Sequence, residues 1–126
     1  KQCSIEVSAQ DIALIALVLA YDGFHPVRNE QLFSKEVAKL TKALMVTCGT
    51  YNASGKFAAN IGLPAKSGVS GGIMAAVPPR VGAPNAPFLH GCGIGIYGPA
   101  IDEYGNSVAG EMLLKHIARE WDFNIF

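Results

Sequence analysis

Nowhere in these 126 residues is a serine followed three positions later by a lysine. The residues three places beyond Ser4, Ser8, Ser34, Ser54, Ser67, Ser70 and Ser107 are Val7, Asp11, Val37, Phe57, Ser70, Ile73 and Gly110. That excludes from the chain a hydroxyl nucleophile with a lysine base one helical turn away. The three cysteines, Cys3, Cys48 and Cys92, show neither metal-ligand spacing nor an even count, which excludes a disulfide framework and fits a reducing cytoplasm. His25, His90 and His116 are scattered with no ligand spacing, so no metal site is expected. Charge is scarce and balanced, ten basic against ten acidic residues in a 16% charged fraction, which argues against nucleic acid and anionic membrane surfaces as partners. The longest apolar run, Ile12 to Ala20, falls far short of the roughly 20 residues that span a bilayer.

What is present is half apolar and long enough for one core, so residues 1–126 read as a single domain or part of one. The first residue is Lys1 rather than methionine, and the natural start is expected upstream. Ser8-Ala9-Gln10-Asp11 offers a capped start to a helix whose apolar run, Ile12 to Ala20, predicts burial on all sides. Asp22-Gly23 ends it, and Phe24 to Asn29 reads as a turn. A second helix is predicted from Phe33-Ser34 to about Val46, with Val37, Leu40, Leu44 and Met45 inward and Lys35, Lys39 and Lys42 in water. A short helix follows within Tyr51 to Gly62. Ala65 to Val77 reads as one small-residue strand, Val81 to His90 as a loop, and Gly91 to Gly98 as a second, antiparallel strand. Asn106-Ser107 caps a last helix with Val108, Met112, Leu113, His116 and Ile117 as its apolar face. A two-stranded sheet is marginal alone and is expected to join strands supplied from elsewhere in the polypeptide.

Two segments carry chemistry. Lys66-Ser67-Gly68-Val69 places a cation on a strand of little bulk, whose backbone N–H groups, that of Val69 first, can stabilise an oxyanion. Tyr51 lies in Cys48-Gly49-Thr50-Tyr51-Asn52-Ala53-Ser54-Gly55, at a turn entering a helix, where a phenol near a lysine can act as general acid or base. Blander readings stand beside these: a strand packed closely on a helix with Lys66 in solvent, and a boundary tyrosine with a wet hydroxyl. Cys48 reads as a buried structural thiol, and Asp102 and Glu103 as solvated turn residues. Trp121, Phe123 and Phe126 either close the core or meet a neighbouring subunit.

A Lys-Ser/Thr-Gly triplet opening a strand resembles the serine acyl-transfer enzymes that include β-lactamases and penicillin-binding proteins. The resemblance narrows when the segments are joined. Cys3-Ser4-Ile5-Glu6-Val7, Cys48 to Ala58, Gly62-Leu63-Pro64-Ala65-Lys66-Ser67-Gly68-Val69-Ser70-Gly71-Gly72-Ile73 and Gly105-Asn106-Ser107-Val108-Ala109-Gly110 together resemble the C-terminal portion of the serine-dependent glutaminases. Penicillin-binding proteins share the triplet but not the Cys-Gly-x-Tyr-x-x-Ser-Gly element. The chain departs from the family pattern in a longer, proline-containing loop between Pro79 and Gly91.

The resemblance implies an α/β fold of the α+β type, the C-terminal part of a β-lactamase-like fold with helices packed on an antiparallel sheet. It implies hydrolysis of L-glutamine to L-glutamate and ammonia through a serine acyl-enzyme, with no metal or organic cofactor. Tyr51 is then catalytic and substrate-binding, Val69 binds substrate through its backbone, and Lys66, Ser67 and Gly68 support them. The Ser-x-x-Lys pair belongs to a missing N-terminal half, without which the chain is expected to be inactive. A cytoplasmic homo-oligomer, dimer or tetramer, is the family expectation. The rival readings are a penicillin-recognising serine hydrolase and a noncatalytic binding or assembly module that kept the fold.

Overall fold

The structure is a computed structural model that describes residues 4–79, 81–88 and 90–126. Cys3, which opens the first stretch of the glutaminase resemblance, lies outside the described residues. The first helix, α1 (Ala9–Ala20), starts at a full capping box: the Ser8 hydroxyl accepts from the Asp11 N–H, and the Asp11 carboxylate accepts from the Ser8 N–H at 2.8 Å. Those bonds to Ser8 hold the Asp11 carboxyl below its usual range. The predicted turn after α1 is a small hairpin, β1 (Phe24–His25) paired antiparallel with β2 (Glu30–Gln31). Helix α2 (Lys35–Cys48) follows, capped by Ser34.

A 3-10 turn over Tyr51–Ala53 runs into α3 (Ser54–Asn60). The predicted single strand over 65–77 is in fact two, β3 (Ala65–Ser67) and β4 (Gly72–Val77), reversed at Gly68–Gly71. The Gly71 N–H donates to the Gly68 carbonyl at 2.9 Å, and Gly71 takes φ +95°, a value open to glycine without a steric cost. With β5 (Cys92–Tyr97) the sheet is three-stranded and antiparallel, in the order β3-β4-β5, instead of the two strands expected. Its register runs without interruption from Gly72 opposite Tyr97 to Val77 opposite Cys92, so the proline-containing loop before β5 leaves the pairing intact.

Alternation along the strands sends side chains to two layers. Ala65, Ile73, Ala75, Val77 and Cys92 face one side, where α3 contributes Phe57 and α4 (Val108–Glu120) contributes Leu114 and Ala118. On the other side Ala76 and Met74 meet Leu19 and Ala20 of α1 and Met45 of α2. Helix α1 approaches β5 unusually closely: a Cβ built at Gly93 would lie 2.0 Å from the Ala13 carbonyl oxygen, and one at Gly95 2.0 Å from that of Ala9. The glycines that alternate with Cys92, Ile94 and Ile96 are thus the floor on which a helix backbone rests.

Several predicted faces turn out differently. In α4 the buried stripe is Gly110, Leu114 and Ala118, whereas Val108, Met112, Leu113 and His116 are exposed. In α2, Ala38 and Met45 are buried while Val37, Leu40 and Leu44 are exposed. In both helices the core-facing positions include small residues, Gly110 and Ala118 in α4 and Ala38 in α2, so side-chain bulk alone does not mark the buried face. Helix α1 is buried at Ala16 and Val18 to Ala20, but Leu14 and Ile15 are exposed. Lys42 is not free in water: its ammonium donates to the Asp22 carboxylate at 2.7 Å. In the C-terminal segment Phe123 is fully buried and Trp121 packs edge-on against it, while Phe126 is exposed.

Cys92 lies in the core, and burial pushes its thiol up to about 11. Cys48 is exposed, contrary to the buried thiol expected, with its Sγ donating to the Leu44 carbonyl at 3.1 Å. At pH 8 only about one Cys92 in a thousand would be thiolate, the reactive form. Iodoacetamide treatment of the folded protein followed by peptide mapping should therefore label Cys48 and leave Cys92 unmodified. Equal labelling of both would contradict this packing.

Candidate active site

The site forms where the turn that follows α2 packs against β3. Gly49 lies so close to β3 that a Cβ there would sit 1.9 Å from the Ala65 carbonyl oxygen. The same contact is bonded, with the Ser67 N–H donating to the Gly49 carbonyl at 3.1 Å. Two residues on, Tyr51 has φ +56°, a left-handed conformation that is uncommon for a side chain of its size. Short bonds hold it there: the Ser54 hydroxyl donates to the Tyr51 carbonyl at 2.7 Å and accepts from the Thr50 N–H at 3.1 Å.

From this turn the Tyr51 ring reaches back to the strand. Its hydroxyl donates to the Ser67 carbonyl at 3.3 Å, and the Lys66 ammonium donates to the same oxygen. The Lys66 Nζ also lies 4.6 Å from the centre of the Tyr51 ring, within range of a cation–π attraction. One backbone carbonyl thereby gathers a phenol and an ammonium, the two groups that the sequence places 15 residues apart. Tyr51 stays 39% exposed as a residue.

Gly68 begins the reversal after β3, and Val69 occupies its tip, 67% exposed. Among the described residues no group accepts a hydrogen bond from the Val69 N–H. A free donor next to a fixed ammonium and a phenol is the equipment needed where negative charge develops on a carbonyl oxygen. Ser67 plays a different part from its neighbours in the triplet. Its side chain is buried on the opposite face from Lys66, and its hydroxyl donates to Asn106 Oδ1 at 2.5 Å.

The sequence gives Asn106 a place in a helix cap and in the Gly105–Gly110 stretch of the family resemblance, but no role in the site. Ser107 is indeed the α4 cap, accepting from the Gly110 N–H at 3.2 Å and donating to the Gly98 carbonyl at 2.7 Å. Asn106 instead turns into the site and donates from Nδ2 to the Thr50 carbonyl at 3.2 Å. Gly105 comes with it: a Cβ at that position would lie 2.9 Å from Val69 Cγ1 and 3.7 Å from Tyr51 Cε2. Asp102 is not merely solvated, since its carboxylate accepts from the Tyr104 and Asn106 N–H groups, both at 2.9 Å, and shapes this loop. A buried asparagine between a tyrosine motif and a Lys-Ser-Gly strand has no local pattern in sequence. Its partners are 39 and 56 residues away.

An apolar cavity of about 460 Å³ lies elsewhere, between α1, the hairpin and α2, with Leu14, Ile15, Leu32 and Val37 in its wall. It has few polar groups to orient a reactant and is not the candidate site. Among the described residues there is no cluster of three metal-ligating side chains, and no helix is long and apolar enough to cross a membrane.

Comparison with known proteins bears on the fold and the family. The family model described as Glutaminase matches residues 1–126. Glutaminase 2 of Bacillus cereus is 71% identical over all 126 residues, and Glutaminase 1 of Bacillus subtilis is 68% identical over the same span. The chain covers 38% of each of these relatives. Among solved structures, a probable glutaminase of Bacillus subtilis superposes with a TM-score of 0.97 at 67% identity, covering all of this chain and 40% of that one. A Bacillus subtilis glutaminase in covalent complex with 5-oxo-L-norleucine, formed by reaction with 6-diazo-5-oxo-L-norleucine, gives 0.93 at the same identity and covers 42% of that chain. The architecture is thus part of the serine β-lactamase-like fold of these enzymes, and the chain belongs to the glutaminase family.

Proposed function

We propose that this chain supplies the tyrosine, lysine and oxyanion-binding side of a glutaminase active site, and that the complete polypeptide hydrolyses the side-chain amide of L-glutamine to L-glutamate and ammonia. The observation that carries the reading is the shared Ser67 carbonyl, which draws the Tyr51 hydroxyl and the Lys66 ammonium together beside the open Val69 N–H. In this scheme a serine hydroxyl from the remainder of the polypeptide attacks the amide carbon. Its proton passes to the lysine paired with it, and the Val69 N–H receives the oxygen that becomes negative. Tyr51 Oη then delivers a proton to the departing nitrogen and recovers one from the protonated lysine, so that ammonia leaves and an acyl-enzyme remains. Water adds to that ester and releases glutamate and the serine. Lys66 holds the phenol in place and offsets negative charge.

The covalent complex of the Bacillus subtilis relative supports the substrate class. 5-Oxo-L-norleucine has the carbon frame of glutamine with a methyl carbon in place of the amide nitrogen, so an enzyme that reacts with its diazo precursor is built for that frame. We assign the remaining catalytic groups to the part of the polypeptide outside this chain. A cytoplasmic homo-oligomer, expected from the family, belongs to the same proposal.

The test is ammonia release from L-glutamine by the complete protein, by this chain alone, and by the two parts expressed together. Activity in the complete and combined samples, with none from the chain alone, is the expected result. A folded complete protein that releases no ammonia would move the assignment to a noncatalytic module, and acylation by a β-lactam would then test the remaining enzymatic rival.

A further inference from the structure

We infer that Asn106 is the positioning residue of this site: its carboxamide ties the tyrosine turn to the Lys-Ser-Gly strand and so sets where the Tyr51 hydroxyl lies. The inference rests on the glutaminase reading for its kinetic test, but its structural content stands on bonds within this chain. Asn106 is 2% exposed, and both ends of its amide are used. Nδ2 donates to the carbonyl of Thr50, the residue before Tyr51, and Oδ1 accepts from the hydroxyl of Ser67, whose carbonyl receives Tyr51 Oη. One side chain therefore closes a ring of bonds that runs from Thr50 through Tyr51 and Ser67 back to Asn106.

The ring has a consequence for geometry. Tyr51 starts from a left-handed backbone with few alternatives, so moving the Thr50 carbonyl swings the whole phenol. The Thr50–Ser54 bonds fix the turn internally but do not connect it to β3. Gly49 and Asn106 make that connection, Gly49 through its carbonyl and Asn106 through a side chain that can be removed without altering the main chain. Asn106 is itself anchored through its N–H to Asp102, and Gly105 beside it packs against Val69 and the Tyr51 ring. Loss of the carboxamide should loosen Tyr51 relative to Ser67 while leaving β3, Lys66 and the Val69 N–H in place. Reaction steps needing the phenol slow under such a displacement, whereas binding that depends on other groups persists.

The test compares Asn106→Ala with wild type and with Val77→Ala, a core truncation at the far end of β4, all in the complete protein. Asn106→Ala is expected to lower kcat by about 100-fold with KM changed less than about threefold, and its crystal structure should show Tyr51 Oη beyond hydrogen-bond reach of the Ser67 carbonyl. Val77→Ala should lower Tm and leave kcat at the wild-type level. A kcat loss under about tenfold, an unmoved Tyr51, or an equal kcat loss in Val77→Ala would overturn the inference. Should Asn106→Ala fail to fold, Ser67→Ala severs the other end of the bridge. A fall in its kcat of about fivefold or more then supports the role, and an unchanged kcat refutes it. If the wild-type protein releases no ammonia, the glutaminase reading falls, and the Tyr51 to Ser67 distance in the Asn106→Ala crystal alone decides the positioning role.

Discussion

Tyr51→Phe in the complete protein is expected to lower kcat for ammonia release by about 100- to 10,000-fold, the range of a lost general acid or base. The substitution removes one oxygen and leaves the ring. The contact with the Lys66 ammonium and the packing against Gly105 survive, so Tm should stay near that of wild type. What disappears is the hydroxyl that shares the Ser67 carbonyl with Lys66. KM should change far less than kcat, because the hydroxyl contributes most where nitrogen is leaving. Steady-state kinetics with thermal melts on the same samples checks this. A near wild-type kcat would remove Tyr51 from the chemistry and leave it as a packing residue.

The second large effect is on stability. Gly95→Ala puts a methyl group 2.0 Å from the Ala9 carbonyl oxygen and close to the Ala13 nitrogen. Both are backbone atoms of α1, so no side chain can turn aside, and the helix itself must lift from the sheet. The cost is expected at or above the top of the roughly 1–3 kcal/mol range for overpacked interiors. Gly55→Ala provides the contrast. It lies in the first turn of α3 with no atom within 4 Å of the added Cβ, and it should be neutral or stabilising by about 0.5–1 kcal/mol. Denaturant melts of both variants decide the matter, and comparable stabilities would mean that α1 does not rest on β5 as described.

Much of this arrangement is legible in the residues themselves. Caps at Ser8, Ser34 and Ser107 mark three helix starts because their hydroxyls serve N–H groups only a turn away. The Tyr51 and Lys66 motifs are legible for another reason, as compact local patterns tied to a known chemistry. The reversal at Gly68–Gly71 is carried by Ser70-Gly71-Gly72, a turn-forming run that is easily read as part of one small-residue strand when the flanking apolar residues continue on both sides. The helix faces are only partly legible, because side-chain bulk is an incomplete sign of burial: Met45 is buried as its size suggests, but Leu40, Leu44 and Met112 are not. In α4 and α2 it is the small Gly110, Ala118 and Ala38 that touch the core. Asn106 is invisible to any local reading, since its meaning lies in Thr50 and Ser67, which only the fold brings near.

The backbone of Tyr51 bears on how such a protein can be improved. A left-handed residue with a large side chain costs on the order of 1 kcal/mol that glycine or asparagine would relieve. Selection for thermal tolerance alone would therefore favour replacing the very residue that carries the phenol. Variants from such a campaign would melt later and turn over less, and the trade would be traceable to a single φ angle.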